Sequence, residues 1–355
     1  MYNIHLLPAM FGDSILIEYG TKAKPYYILI DGGPYFAFDE VIPALKKVAP
    51  NLKQLELLVI THIDIDHIDG TITMLNQPEL PFKVKDIWFN GYKQIKNIKD
   101  DTLGALQGEY VSILIKKHKL PHNKAFKGKA VMVSDYKKLP VIALTGGMKL
   151  TLLSPGKAAL VNLKKAWDKE IAEIEKKSTL EDRWKNEKRY SQLISDMLGL
   201  DVEKLIKASV SGDKSAANQS SIAFIAIFEK KSCLFAGDAT SDFLLKAIEP
   251  MLVEKKLKLD AWKLAHHGSK KSNLVALMQK IDTKKMLVSS DGSRYGHPDP
   301  ECIAKLLGEN KNAGISFYFN YLSEKNKIWK DKALQKKYKY STNYPDGEFG
   351  ITVAL

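Results

Sequence analysis

The sequence predicts a mixed α/β (α+β) protein, and three observations carry that expectation. Apolar runs of strand length recur in the first and last thirds of the chain, helix-periodic segments lie between several of them, and several runs stop at clusters of histidine, aspartate and glycine. A strand that ends in polar groups is a usual way for an α/β scaffold to present chemistry at its rim. The 355 residues, 45% hydrophobic and 27% charged, suffice for one large domain or two small ones.

Taken in order, Asn3-Ile4-His5-Leu6-Leu7, Ser14-Ile15-Leu16-Ile17-Glu18-Tyr19 and Tyr26-Tyr27-Ile28-Leu29-Ile30 read as consecutive strands, the third ending at Asp31-Gly32-Gly33. Phe38 to Val48 carries a helical period. The run Leu57-Leu58-Val59-Ile60 then opens into Thr61-His62-Ile63-Asp64-Ile65-Asp66-His67-Ile68-Asp69-Gly70, with five candidate metal ligands crowded behind one strand. If this loop stays extended, His62, Asp64 and Asp66 project to one side, a turn brings in His67, and Gly70 lets the chain bend into a helix. Residues 85–90 read as a further strand, and 141–144 with 149–153 as a hairpin around Gly146-Gly147. From 156 to 217 the chain turns charged and helical, with Leu163, Trp167, Ile171 and Ile174 spaced at three or four, and it exceeds any ordinary connection. Strand patterns resume at 221–228, 233–238, 259–264, 285–289 and 315–319. The expectation is one domain over residues 1–355, with 156–217 a helical insertion that serves as a lid or a surface for a separate protein partner.

Composition excludes several classes. The N-terminus has no basic stretch followed by a long apolar one, and no apolar run reaches the roughly 20 residues that span a bilayer. The expectation is a soluble, unexported, cytoplasmic protein. Two cysteines, Cys233 and Cys302, make no disulfide framework. A formal charge of +13 predicts attraction to polyanions: nucleic acid, phosphorylated substrates or an anionic membrane surface. Two basic stretches, 116–129 and 325–340, invite a nucleic-acid reading, the second because Trp329, Tyr338 and Tyr340 interleave with lysines and could stack on bases.

Four loops behind apolar runs carry ligand chemistry: His62 to His67, Asp238, His266-His267-Gly268-Ser269, and Tyr295-Gly296-His297-Pro298. Together they resemble the metallo-β-lactamase superfamily, with its His-x-His-x-Asp-His loop and distant Asp and His ligands. The resemblance implies an αββα sandwich, two mixed sheets with helices outside and metals at one edge. More closely, Asp31-Gly32-Gly33, the 61–67 loop, Asn218-Gln219-Ser220-Ser221, Gly237-Asp238-Ala239, His266-His267-Gly268-Ser269 and Arg294-Tyr295-Gly296-His297-Pro298 are similar, in the same order, to the soluble hydrolase domain of ComEC-type competence proteins. That likeness implies that Asp66, His67, Asp238 and His297 hold one metal, and that Asp238 bridges to a second held by His62, Asp64 and one of His266 and His267.

Two departures narrow the expectation. Asp64 stands where the superfamily usually has a second histidine, and no histidine accompanies Asn218 at the middle-ligand position. Carboxylates in place of imidazoles move the donor set towards harder oxygen, so the one or two divalent ions are zinc or manganese. The expected activity is hydrolysis of a phosphodiester, in DNA or a nucleotide, by metal-activated water. Asp66 orients that water, and one of His266 and His267 assists the leaving oxygen. Ser269, Arg294, Asn218 and Ser220 bind substrate or support the site, and Asp31 buttresses the metal loop. Rival readings are another ester (a phosphorylcholine ester, a lactone or a thioester) and a degenerate scaffold that binds a partner without turnover.

Overall fold

The apolar runs pair into two mixed sheets. The structure, a computed structural model, describes residues 1–96, 106–174, 200–310 and 314–355. Six strands form the first sheet in the order Ile351–Ala354, Tyr2–Leu6, Ile15–Thr21, Lys24–Ile30, Leu57–Val59, Ile87–Trp88. Eight form the second: Ser341–Asn343, Ser316–Phe319, Lys285–Val288, Ala261–Lys263, Lys231–Phe235, Ala223–Phe228, Lys149–Ser154, Val141–Ala143. Hairpin partners run antiparallel, as the short turns dictate, and the parallel strands occupy one side of each sheet. Parallel strands point their carboxyl ends one way. Asp31, His62, Asp238 and His266 each follow such a strand.

Burial follows the period of two. Ile4, Ile17, Ile28 and Leu57 of the first sheet meet Leu150, Phe224, Phe235 and Leu287 of the second in a dry layer between them. The opposite face of the first sheet, with Leu16, Leu29 and Leu58, is covered by Val41 and Leu45 of the helix Phe38–Val48, by Ile68 and Leu75 of Ile65–Leu75, and by Val111 of Leu106–Lys117. The outer face of the second sheet, with Ile225, Leu234 and Trp262, packs against Leu244 and Ile248 of Ser241–Ile248 and Ile303 and Leu307 of Pro300–Glu309. These four layers are the αββα sandwich of the metallo-β-lactamase fold. Among the described residues, no helix is long and apolar enough to cross a membrane.

Three local expectations are corrected. The loop after Leu57–Val59 does not stay extended: a helix begins at Ile65 with Asp64 as its N-cap residue, so Asp66 and His67 occupy its first turn. An aspartate there suits the positive end of the helix dipole. Gly70 accordingly lies inside that helix, not before it. A Cβ at Gly70 would stand 2.0 Å from the Gly32 carbonyl oxygen, so this glycine lets the helix rest on the Asp31-Gly32-Gly33 turn. In the basic stretch 325–340, Trp329 is fully buried and Tyr340 nearly so, both within the outer core of the second sheet. They cannot stack on bases; only Tyr338 stays partly exposed.

From the 156–217 stretch, the helix Lys157–Ile174 packs Leu160, Leu163 and Trp167 against Tyr92 and Ile95. Residues 175–199 lie outside the described residues, and so does that part of the expected insertion. The helix Val202–Lys207 then docks Val202 into the outer core of the second sheet, and a short helix, Ala216–Gln219, follows.

Candidate metal centre

The carboxyl ends of the parallel strands bring seven of the expected residues to one edge of the sandwich. Asp238 is the hub. Its Oδ1 lies 3.3 Å from His67 Nε2, and its Oδ2 lies 3.7 Å from both His62 Nε2 and His266 Nε2. Asp64 Oδ2 stands 3.5 Å from His62 Nε2. On the other side, Asp66 Oδ2 meets His267 Nε2 at 3.1 Å and His67 Nε2 at 3.8 Å. His62, His67 and Asp238 offer ligand atoms within 4.8 Å of one another, and so do Asp66, His67 and His267.

The donor set fits a divalent ion. Around a tetrahedral ion with bonds of about 2.1 Å, neighbouring donors stand about 3.4 Å apart, which matches the spacings above. His62 Nε2, His67 Nε2 and Asp238 Oδ1 are buried with no hydrogen-bond partner, although buried polar atoms are nearly always satisfied. Metal ions held here would satisfy all three.

Each imidazole is held from behind, which fixes the ring and the nitrogen it presents. Asp31 is buried; its Oδ1 accepts from Thr61 N–H at 2.8 Å, and its Oδ2 lies 2.8 Å from His67 Nδ1. Thr61 Oγ1 donates to Asp31 and lies 3.0 Å from His62 Nδ1. His267 Nδ1 lies 2.9 Å from the Ser289 carbonyl and 3.3 Å from Asp13 Oδ1, while Asp13 Oδ2 accepts from the buried Lys263 at 2.7 Å. His266 Nδ1 lies 3.3 Å from Asp213 Oδ2, which also accepts from Asn218 Nδ2 at 2.7 Å and Ser272 Oγ at 3.2 Å.

Burial alone would push Asp66 and Asp238 up and His67 and His267 down. Neighbouring charge outweighs it: His67 and then His267 hold Asp66 below its usual range, His266 and then His67 hold Asp238 well below it, Asp238 and then Asp66 raise His67 well above its ordinary value, and Asp13 and then Asp238 raise His267 to about 9. His297 goes the other way, depressed to about 3 by burial and then by its neighbours His266 and His267.

Other expected residues fall differently. His297 lies against the pair, edge-on to His266 with ring centroids 5.0 Å apart and stacked on His267 at 6.4 Å. The place beside Asp66 that the resemblance gave to His297 is occupied by His267. Ser269 lines the pocket over the centre, together with Lys270, Lys271, Tyr295 and His297; its volume is about 430 Å³. Asn218 and Ser220, expected beside substrate, are buried: Asn218 serves Asp213, and Ser220 Oγ donates to the Ala217 carbonyl. The Arg294 guanidinium lies over the rings of Phe11 and Tyr295, 5.3 and 5.4 Å from their centroids.

Asp13, Lys263, Asp213 and Asn273 were not anticipated. Asn273 brackets the histidine loop, accepting from Ala265 N–H and donating to the carbonyls of Ala265 and Ser269. A lysine three residues before a double histidine was the one available signal for the buried pair; Asp213 had none.

Fold and site define a metallo-β-lactamase-type sandwich with a His/Asp centre suited to a metal ion. No protein-family model and no curated protein sequence matches the chain. Among solved structures it is similar to Zn²⁺-bound PqqB from Methylobacterium extorquens, at 11% identity over 99% of this chain and 100% of that one, with a TM-score of 0.43. It is also similar to human tRNase Z, short form, at 8% identity over 99% of each chain, with a TM-score of 0.39. A third is CmlA, a diiron β-hydroxylase from Streptomyces venezuelae, at 11% identity over 100% of this chain and 54% of that one, with a TM-score of 0.41. Likeness this distant carries no reaction, metal or substrate to this chain.

Proposed function

We propose that the chain is a metal-dependent hydrolase of phosphodiesters, with nucleic acid or a nucleotide as substrate. The observation that carries this reading is the convergence of orphaned imidazole and carboxylate atoms beside a pocket that Asp64, Asp66, Asp238 and His266 line together with Ser269, Lys270 and Lys271. The order of its motifs, similar to ComEC-type hydrolase domains, supports the same reading. One ion would sit among His62, Asp64, His266 and Asp238, and a second among Asp66, His67, His267 and Asp238. Each set offers two nitrogens and two oxygens, a mixture that suits zinc and manganese alike. When bound, such ions supply Lewis acidity and a water acidic enough to ionise near neutral pH.

The chain's own groups do the rest. Asp66 would orient the attacking water by accepting a hydrogen bond from it. Lys271, exposed at the mouth, and Lys270, paired with Glu301, draw the phosphate in, and Ser269 lies where it can donate to a phosphoryl oxygen. His266 and His267 have both nitrogens committed, and His297 is neutral, so the leaving oxygen takes its proton from water at the open mouth.

The test is metal-dependent turnover across single- and double-stranded DNA, RNA, cyclic nucleotides and small esters. Cleavage of phosphodiesters that Asp66→Ala abolishes is the expected result. Turnover of lactones or thioesters alone removes the phosphodiester assignment, and a purified chain that takes up no zinc or manganese removes the hydrolase.

A further inference from the structure

Tyr295 is the one large aromatic ring in the pocket lining, yet 44% of its surface stays exposed. It is not loose. Phe11 braces it edge-on, with centroids 5.7 Å apart and planes at 86°, and the Arg294 guanidinium lies across both rings. Phe11 is itself anchored, because the adjoining Gly12 is wedged against the Asp66 carbonyl and Pro34: a Cβ there would stand 1.9 Å from the Asp66 oxygen and 2.9 Å from Pro34 Cδ. A half-exposed ring braced by two neighbours beside the pocket is a preformed surface, with little ordering entropy left to lose on binding. With lysines in the same pocket, its complement carries both an anionic group and a flat π-face.

We propose that Tyr295, backed by Phe11 and Arg294, is a stacking subsite for the nucleobase next to the scissile phosphate. The subsite rests on the phosphodiesterase reading for its substrate class but not for its own detection. Stacking one base on an aromatic ring tolerates any base, so the subsite selects nucleotides over plain phosphodiesters without reading sequence. Arg294 thereby acts through Tyr295.

The metal-loaded full chain is mixed by stopped flow with a single-stranded oligonucleotide carrying 2-aminopurine, and with an abasic oligonucleotide of equal length. The initial quench, before turnover, reports stacking. Wild type, Tyr295→Phe and Tyr295→Trp quench the probe; Tyr295→Ala does not, and binds it about tenfold to a hundredfold more weakly. Affinity for the abasic strand stays within about twofold in all four, which also shows that Tyr295→Ala is folded. Equal quenching by wild type and Tyr295→Ala, equal losses on both strands, or no binding of the probe by wild type overturns the subsite. The two readings fail separately. A chain that quenches through Tyr295 but cleaves no phosphodiester loses the hydrolase and keeps the subsite; one that cleaves base-free phosphodiesters and ignores Tyr295→Ala does the reverse.

Discussion

Asp238 faces His67 with one carboxylate oxygen and His62 and His266 with the other, so one carboxylate reaches three candidate ligands. If the proposed two-ion centre holds, Asp238→Ala takes metal content from two ions per chain to below one, read by elemental analysis after dialysis. Asp213→Ala removes only the carboxylate behind His266, and the affinity for one of the two ions should fall about tenfold to a hundredfold. Titration calorimetry resolving two events, one unchanged, is the expected record. Proton linkage provides another check. With His67 and His266 raised and His267 raised to about 9, the metal-free centre holds imidazolium protons at pH 7 that an incoming cation expels. Affinity should therefore climb as pH rises from 6 to 9, and calorimetry in buffers of unlike ionisation enthalpy should count protons released; zero release contradicts it. The ligand types were legible because they cluster behind apolar runs. Asp213 was not: it stands in a polar stretch with no strand before it, and only the folded chain carries it to His266.

The helix Ile65–Leu75 shows how an element's position overrides its local preference. Glycine inside a helix ordinarily costs about 1 kcal/mol relative to alanine, so an exposed Gly→Ala change stabilises. At Gly70 the sign reverses, because the new methyl meets the Gly32 carbonyl. Gly70→Ala should destabilise by about 1–3 kcal/mol in urea unfolding and weaken metal uptake, since Asp66 and His67 ride on the same helix. The loop after Ala261–Lys263 poses a related problem. His266 and His267 both have positive φ, at 49° and 52°, an unfavourable backbone for non-glycine residues that Asn273 holds in place. The strand runs themselves were readable from alternation and length. Ser341–Asn343 was not, because a polar edge strand carries no alternation, and the 61–67 loop hid a helix start because its period of two also suits extended chain.

Across the whole molecule, the two sheets are tied beneath the centre by one buried ion pair. Lys263 comes from the second sheet, Asp13 from the turn before Ile15–Thr21 of the first, and both are almost wholly buried. Lys263→Met leaves the Asp13 charge with His267 alone to balance it and should cost about 3 kcal/mol, while Asp13→Leu with Lys263→Met should recover part of it. Burial would push the Asp13 carboxyl up, but Lys263 and then His267 outweigh it and hold it well below the usual range. A depressed carboxyl stabilises the fold above its unfolded value of about 3.9 and stops doing so as pH falls through the folded value. The cost of Lys263→Met should therefore be full at pH 7 and shrink in acid, as paired denaturation curves would show. By itself the sequence determined the class of fold and the ligand types at strand ends, because alternation and strand length are local properties and His/Asp clusters are chemically distinctive. Only the tertiary structure decided that His267 lies against Asp66, that Asp213 and Lys263 stand behind the ligands, and that Trp329 is core while Tyr295 is exposed. Those facts depend on which distant segments the two sheets bring together, and nothing along the chain encodes that locally.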